Sequence, residues 1–307
     1  MKRPRIVWST AFLLFCLLAV QFSYAVSGTQ DSVSMTSYGS IMQDLLSSTV
    51  IRVDFENNSH FQYGPGAPIW DKTAGMNSPT GTFEPSTIVF RSGTTAARLG
   101  LTDPVDDASR RIHVEHEWDP VNDKHLWFSS WIYLPSDFAV DDWVNLHRST
   151  EERWHILDQP WEFPTFEWFQ ICCNIHSGCY VAPGVYKIAS KLLHGQVDNN
   201  GDGIDDVGPF QEYQTTDTIN LGEWFNIKTY IYRDMTDGIY MMWLNGVLQW
   251  ELHNVRTIGI DPSRFSALGV EASICTGMSL YTNTGASPKE NYFDDLVLAT
   301  TESDPTL

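Results

Sequence analysis

Past its first 25 residues the sequence has no long apolar run, and no stretch of ten or more residues carries strong helical periodicity. A helical bundle and a second membrane anchor both lack the pattern they need. Positive charge is scarce. Lys plus Arg is 19 against 38 Asp plus Glu, a formal charge of −19. Three of the basic residues, Lys2, Arg3 and Arg5, precede the first apolar run, so the remainder is more acidic still. That balance excludes a general nucleic-acid or anionic-membrane surface, because phosphate binding needs the opposite sign. Cysteine is sparse at five. Aromatic residues are not: 12 Trp, 12 Tyr and 16 Phe can fill a sizeable core, which argues against disorder.

The first 25 residues have the three parts of an export signal. A basic start leads to an apolar run from Ile6 to Val20, and a polar stretch ends in Ser23-Tyr24-Ala25. Small residues at −3 and −1 set a cut after Ala25. The alternative is an uncleaved anchor, since Ile6 to Ala25 is nearly long enough to span a bilayer. The expected protein is therefore secreted, with no membrane contact after cleavage. Residues 26–48 are Ser/Thr/Gln-rich and read as a loose leader. Four cysteines follow the signal: Cys172, Cys173, Cys179 and Cys275. An even count in an exported chain suggests two disulfides with three connectivities open. Neighbours Cys172 and Cys173 would point to opposite sides of a strand and so take different partners. A zinc site from these cysteines and His176 is the rival, but the spacing matches no standard zinc pattern.

From Val50 onward, short alternating runs are broken by Gly, Pro, Asn and Asp. This is the rhythm of an all-β, two-sheet antiparallel sandwich in one domain over 49–301. Expected strands include Val50–Phe55, Thr87–Arg91, Arg110–Trp118, Leu126–Leu134, Trp154–Leu157, Phe166–Ile171, Phe225–Arg233, Gly238–Leu244, Val247–Glu251, Phe265–Ala272 and Tyr292–Ala299. Leu244-Asn-Gly-Val247 is the clearest hairpin signal. The aromatic residues Trp127, Trp131, Tyr133, Tyr240 and Trp243 are expected in the sandwich core.

Two stretches carry unusual chemistry. The strand Arg110–Trp118 sets Arg111, His113, Glu115 and Glu117 on one face, a row too polar for core that must face water or a cleft. The segment Trp154–Gln170 interleaves His155, Gln159, Glu167 and Gln170 with Trp161 and Trp168, rings suited to stacking on sugars. A third motif runs Asp198-Asn-Asn200-Gly-Asp202-Gly203-Ile-Asp205-Asp206. Oxygen ligands at alternate positions followed by Gly wrap a loop around a hard cation, so an insertion at about 195–212 is expected to bind structural Ca2+. The plain alternative is a solvated turn.

Val53-Asp-Phe-Glu56, HLWFSSWIYLPSDF at 125–138, GEWFNIKTYIYRDMTDGIYMMWLNGVLQW at 222–250 and YFDDLVLAT at 292–300 resemble the concanavalin A-like lectin/glucanase superfamily. The WIYLP strand followed by Trp154-His-Ile-Leu-Asp-Gln159 is similar to secreted heparin-, glucuronan- and alginate-lyase-like proteins. The resemblance implies a jelly-roll sandwich with a polysaccharide in its groove, and a second calcium site at Glu56 with Asp294 or Asp295. It also implies β-elimination on a uronic-acid polymer, which needs a carboxylate stabiliser, a base and an acid. Gln159, His155, Arg111, His113 and a tyrosine (Tyr180, Tyr186 or Tyr281) are the candidates. Tyr186 is favoured because Tyr180-Val-Ala-Pro-Gly184-Val-Tyr186-Lys187 echoes a tyrosine strand of those lyases. Glu115, Trp161, Glu167, Trp168 and Gln170 are the expected substrate contacts. A glycoside hydrolase is less favoured, because its carboxylate strings are absent and only Glu115/Glu117 and Glu162/Glu167 lie close. A lectin-like binding module and a cell-surface structural protein are the non-enzymatic alternatives. The sequence does not set an oligomeric state.

Overall fold

In strand β6 (His125–Tyr133), Leu126, Phe128 and Ile132 point inward while Trp127, Trp131 and Tyr133 point out. The same period of two builds the whole molecule. The computed structural model describes residues 49–64, 66–70, 72–74, 81–101, 110–119, 121–140, 143–155, 169–194, 211–234, 236–258, 270–282 and 289–306. All fall in one unit, residues 47–307. Among them the strands before β6 are β1 (Val50–Val53), β2 (Lys72–Ala74), β3 (Gly81–Ser86), β4 (Ala96–Leu101) and β5 (Arg110–Trp118). After it come β7 (Trp143–His155), β8 (Phe169–His176), β9 (Tyr180–Ala182), β10 (Val185–Tyr186), β11 (Ala189–His194) and β12 (Gln211–Gln214). The chain closes with β13 (Ile219–Asn220), β14 (Trp224–Tyr232), β15 (Gly238–Leu244), β16 (Val247–Val255), β17 (Val270–Thr282) and β18 (Lys289–Ala299).

Two large antiparallel sheets result. One runs β16-β15-β14-β6-β18-β4-β3, with β1 also paired to β18. The other runs β12-β11-β8-β7-β17-β5-β2. A small sheet, β13-β10-β9, stands apart from both. The core between the large sheets joins Phe128, Ile132, Phe225, Tyr240 and Phe293 of the first to Ile112, Val114, Leu146, Met278 and Leu280 of the second. Burying side chains of this size supplies roughly 1.5–3 kcal/mol each. This is a jelly-roll sandwich with the expected all-β fold. The β15–β16 hairpin turns at Asn245 (φ 52°) and Gly246 (φ 80°), left-handed at both positions as an Asn-Gly turn requires.

The structure departs from the sequence reading in several places. Residues 87–89 are bends and Phe90 is irregular, and the strand is Gly81–Ser86 instead. The backbone donors of Ile88 and Val89 go to Ser86 Oγ, and those of Arg91 and Ser92 to Asp294 Oδ2, so no strand neighbour is needed. Pro85 fits because β3 is an edge strand. Strands β7 and β17 each run 13 residues, far beyond the segments expected. Their polar sequences hid the alternation. Of the aromatic residues expected in the core, only Tyr240 is there. Trp127, Trp131, Tyr133 and Trp243 lie on the outer face of the eight-stranded sheet. The chain end crosses that face: Trp127 Nε1 donates to Thr301 O at 2.7 Å, and Lys228 lies 4.5 Å from the Trp243 ring centroid while pairing with Asp304.

Candidate active site

Strand β5 turns Ile112 and Val114 into the core and His113 and Glu115 to the outer face of the seven-stranded sheet. Outward polar side chains would normally be wet, yet His113 is 0% and Glu115 3% exposed. Neighbouring strands enclose them. His113 Nδ1 lies 2.9 Å from Ser279 Oγ on β17, and the Tyr281 ring meets the imidazole edge-on at a centroid distance of 5.7 Å. Register places Ser279 beside His113 and Tyr281 beside Arg111.

Glu115 has a partner two strands away. Register aligns Arg148 on β7, Gly277 on β17 and Glu115 on β5 in one row. Arg148 Nε donates to Glu115 Oε1 at 2.8 Å and Nη2 to Oε2 at 3.3 Å, a forked pair that bridges the middle strand. The bridge crosses Gly277, the row position without a side chain. A Cβ there would come within 2.1 Å of Val114 O and 2.8 Å of Glu115 Cα. Sequence reading had no means of finding Arg148, because its partner is set by non-local register.

A bulge decides which face of β7 carries chemistry. Asn145 pairs with Asn174 of β8 and Tyr281 of β17, but the next pairings skip to His147 with Cys173 and Met278. The extra residue shifts the alternation by one. Val144, Leu146 and His147 therefore point inward, and Asn145 and Arg148 outward. The His147 ring stacks on Phe128 at 3.7 Å. Its Nδ1 lies 2.9 Å from Gly277 O and its Nε2 3.3 Å from Thr229 Oγ1. Burial pushes its pKa down to about 4, against a partial lift from the Gly277 carbonyl, so it is a neutral core histidine at pH 7. Asn145 and Asn174 stay outward at 1% and 3% exposure.

The sequence candidates are dispersed by this geometry. His113 and Glu115 share one face of β5, and Arg111 precedes His113 by two residues on the same strand, opposite Tyr281. His155 ends β7 opposite Val270, nine residues along β17 from Ser279; at about 3.3 Å per residue that is roughly 30 Å from His113. Gln170 lies on β8 opposite Thr150, four residues from Asn174. Tyr186 belongs to the small sheet, where its ring meets Tyr180 at 5.8 Å. Gln159, Trp161, Glu167 and Trp168 lie outside the described residues, as do Asp198, Asn200, Asp202, Asp205 and Asp206. Of the three tyrosines considered, Tyr281 is set against His113. Asn145, Arg148, Asn174 and Ser279 were not anticipated. The usable signal was a polar run on a strand-length segment, Asn145 to Arg153, with no Gly or Pro in it.

Cys173, Cys179 and Cys275 are buried, and no disulfide joins described cysteines; Cys172 precedes Cys173 on β8. Cys173 points into the core, whereas His176 accepts from Gly178 N and contacts Glu212 Oε1 at 3.1 Å, so these residues do not converge on a metal. Among the described residues no cluster of His, Cys, Asp or Glu has a metal-binding arrangement. Glu56 accepts from Thr94 N, Thr94 Oγ1 and Thr95 N, bonds that hold its pKa below the usual value. Asp294 is buried, which raises its pKa, and takes the amides of Arg91, Ser92 and Asp295. Asp295 pairs with Arg91. All three carboxylates are thus engaged in holding the turn over residues 91–95.

The fold and this face define a jelly-roll sandwich with an enclosed polar row on one outer sheet face. No protein-family model matches the sequence, and no curated protein matches it. Solved structures do. An endo-β-1,4-glucuronan lyase from the fungus Trichoderma reesei is similar at TM-score 0.58 and 17% identity, over 83% of this chain and 96% of that one. The alginate lyase vAL-1 from a Chlorella virus aligns at TM-score 0.49 and 11% identity, over 76% of this chain and 94% of that one. The first likeness establishes a shared concanavalin A-like jelly-roll fold.

Proposed function

We propose that the protein is a secreted polysaccharide lyase that cleaves a uronic-acid-containing polymer by β-elimination. The observation that carries the reading is the His113–Tyr281 pair on an outer sheet face, with a buried imidazole and a half-buried phenol, beside the amide of Asn145. With Nδ1–H donating to Ser279 Oγ, the imidazole presents Nε2 as the base. Asn145, and Arg111 in register with Tyr281, stabilise the sugar carboxylate and so acidify the C5 proton. His113 takes that proton. The electron pair forms the C4–C5 double bond, the C4–O bond breaks, and the Tyr281 hydroxyl protonates the leaving oxygen. Glu115 is committed to Arg148, which removes it as the free acid or base a hydrolase would need. The neighbour named as a glucuronan lyase makes a 4-linked polyglucuronate the first substrate to try.

Export through residues 1–25 and Ca2+ binding at Asp198–Asp206 are parts of the same proposal. The test is absorbance at about 230–235 nm, where the unsaturated product absorbs, on a panel of uronic-acid polymers. Wild type should give a rise that Tyr281→Phe and His113→Gln each lower by about 100-fold or more, the usual weight of one general acid or base. Binding without any rise on every polymer would instead mark a lectin-like module.

A further inference from the structure

Asn145 and Asn174 face each other across neighbouring antiparallel strands, on the same outer face as His113 and Tyr281. Both are enclosed, at 1% and 3% exposure, and the side-chain oxygen of each has no hydrogen-bond partner among the described residues. Two adjacent buried acceptors without donors are uncommon, because each loses its water on folding and gains nothing in return. Opposed residues on adjacent strands hold their Cβ atoms about 5 Å apart, within the span of one pyranose ring.

We propose that the amide oxygens of Asn145 and Asn174 accept hydrogen bonds from two ring hydroxyls of a bound uronate, which makes the site selective for polymers with free hydroxyls over the same polymers carrying O-acyl groups. The inference rests on the polyuronate reading of this face and adds a selection rule to it. The missing partners must be donors. Carboxylates, esters and sulfates have no hydrogen to give, whereas sugar hydroxyls do. An O-acylated ring would leave both oxygens unpaired and add bulk to an enclosed space. Sites built to hydrogen-bond a hydroxyl reject ligands lacking it more strongly than apolar pockets reject an added group.

The experiment compares linear β-1,4-linked polyglucuronate with the same polymer O-acetylated. Binding to the full chain is measured by calorimetry, and turnover by ultraviolet absorbance. Wild type should bind the free-hydroxyl polymer at least about tenfold more tightly, and Asn174→Leu, which leaves only the Asn145 acceptor, should cut that ratio to roughly threefold, the effect of losing one of two ligand hydrogen bonds. Asn174→Asp keeps an acceptor: it should weaken binding of both polyanions and preserve the ratio. A wild-type ratio near one, or no binding of either form, overturns the proposal whether or not the variants fold. A folded Asn174→Leu that keeps the wild-type ratio does the same. A binding preference with no absorbance rise refutes elimination and leaves the hydroxyl selection standing, while equal turnover and equal binding of both forms refutes the selection and leaves elimination standing.

Discussion

Lowering the pH should destabilise this protein through His147, a residue on the inner face of the sheet that carries the site. Its pKa is about 4 in the fold, against an ordinary value of 6.5. The unfolded chain therefore binds a proton that the folded chain refuses, and stability falls as pH drops from about 6.5 toward 4. The folded form is fully favoured above that window. The whole shift corresponds to about 3 kcal/mol, of which about 2 kcal/mol should be lost between roughly pH 7.5 and pH 5. Urea denaturation at those two pH values reads the difference directly. His147→Leu keeps a core side chain beside Phe128 but forfeits the contacts to Gly277 and Thr229, so it should be less stable than wild type near neutrality. Its stability should change less with pH, by about that same 2 kcal/mol. Comparing the two proteins cancels the carboxylates they share, including Asp294 and Asp123, whose pKa values burial raises. Equal pH dependence in wild type and variant would refute the assignment of His147 as a buried neutral histidine.

Gly277→Ala should destabilise the fold by about 2 kcal/mol or more, because the new Cβ meets the backbone of Val114 and Glu115 rather than a movable side chain; an unchanged denaturation midpoint would contradict the Arg148–Gly277–Glu115 row. Asp202→Ala should lower the melting temperature in millimolar-range calcium but have no effect in chelator, as expected if the acidic loop binds the ion. A wild-type melting curve indifferent to calcium would remove the cation from the account.

Much of the architecture is written locally. Alternation along Arg110–Trp118 sets His113 and Glu115 on one face and Ile112 and Val114 on the other, and the structure orders them so. Asn245-Gly246 turns a hairpin because both residues tolerate positive φ. These are properties of neighbours in the chain, with a period of two, and a sequence displays them. Pairings between distant strands are different. That Arg148 reaches Glu115 across a glycine depends on how three strands far apart in the chain align. That His147 turns inward while Asn145 stays out depends on one extra residue in β7, which unbroken alternation would have hidden. The same register carries His155 roughly 30 Å along the sheet from His113 and brings Tyr281 to it instead. Side-chain direction is a local consequence of the backbone, while company is a global one. The sequence by itself therefore determined the all-β layers and the polar row of β5, and only tertiary packing decided which residues that row would meet.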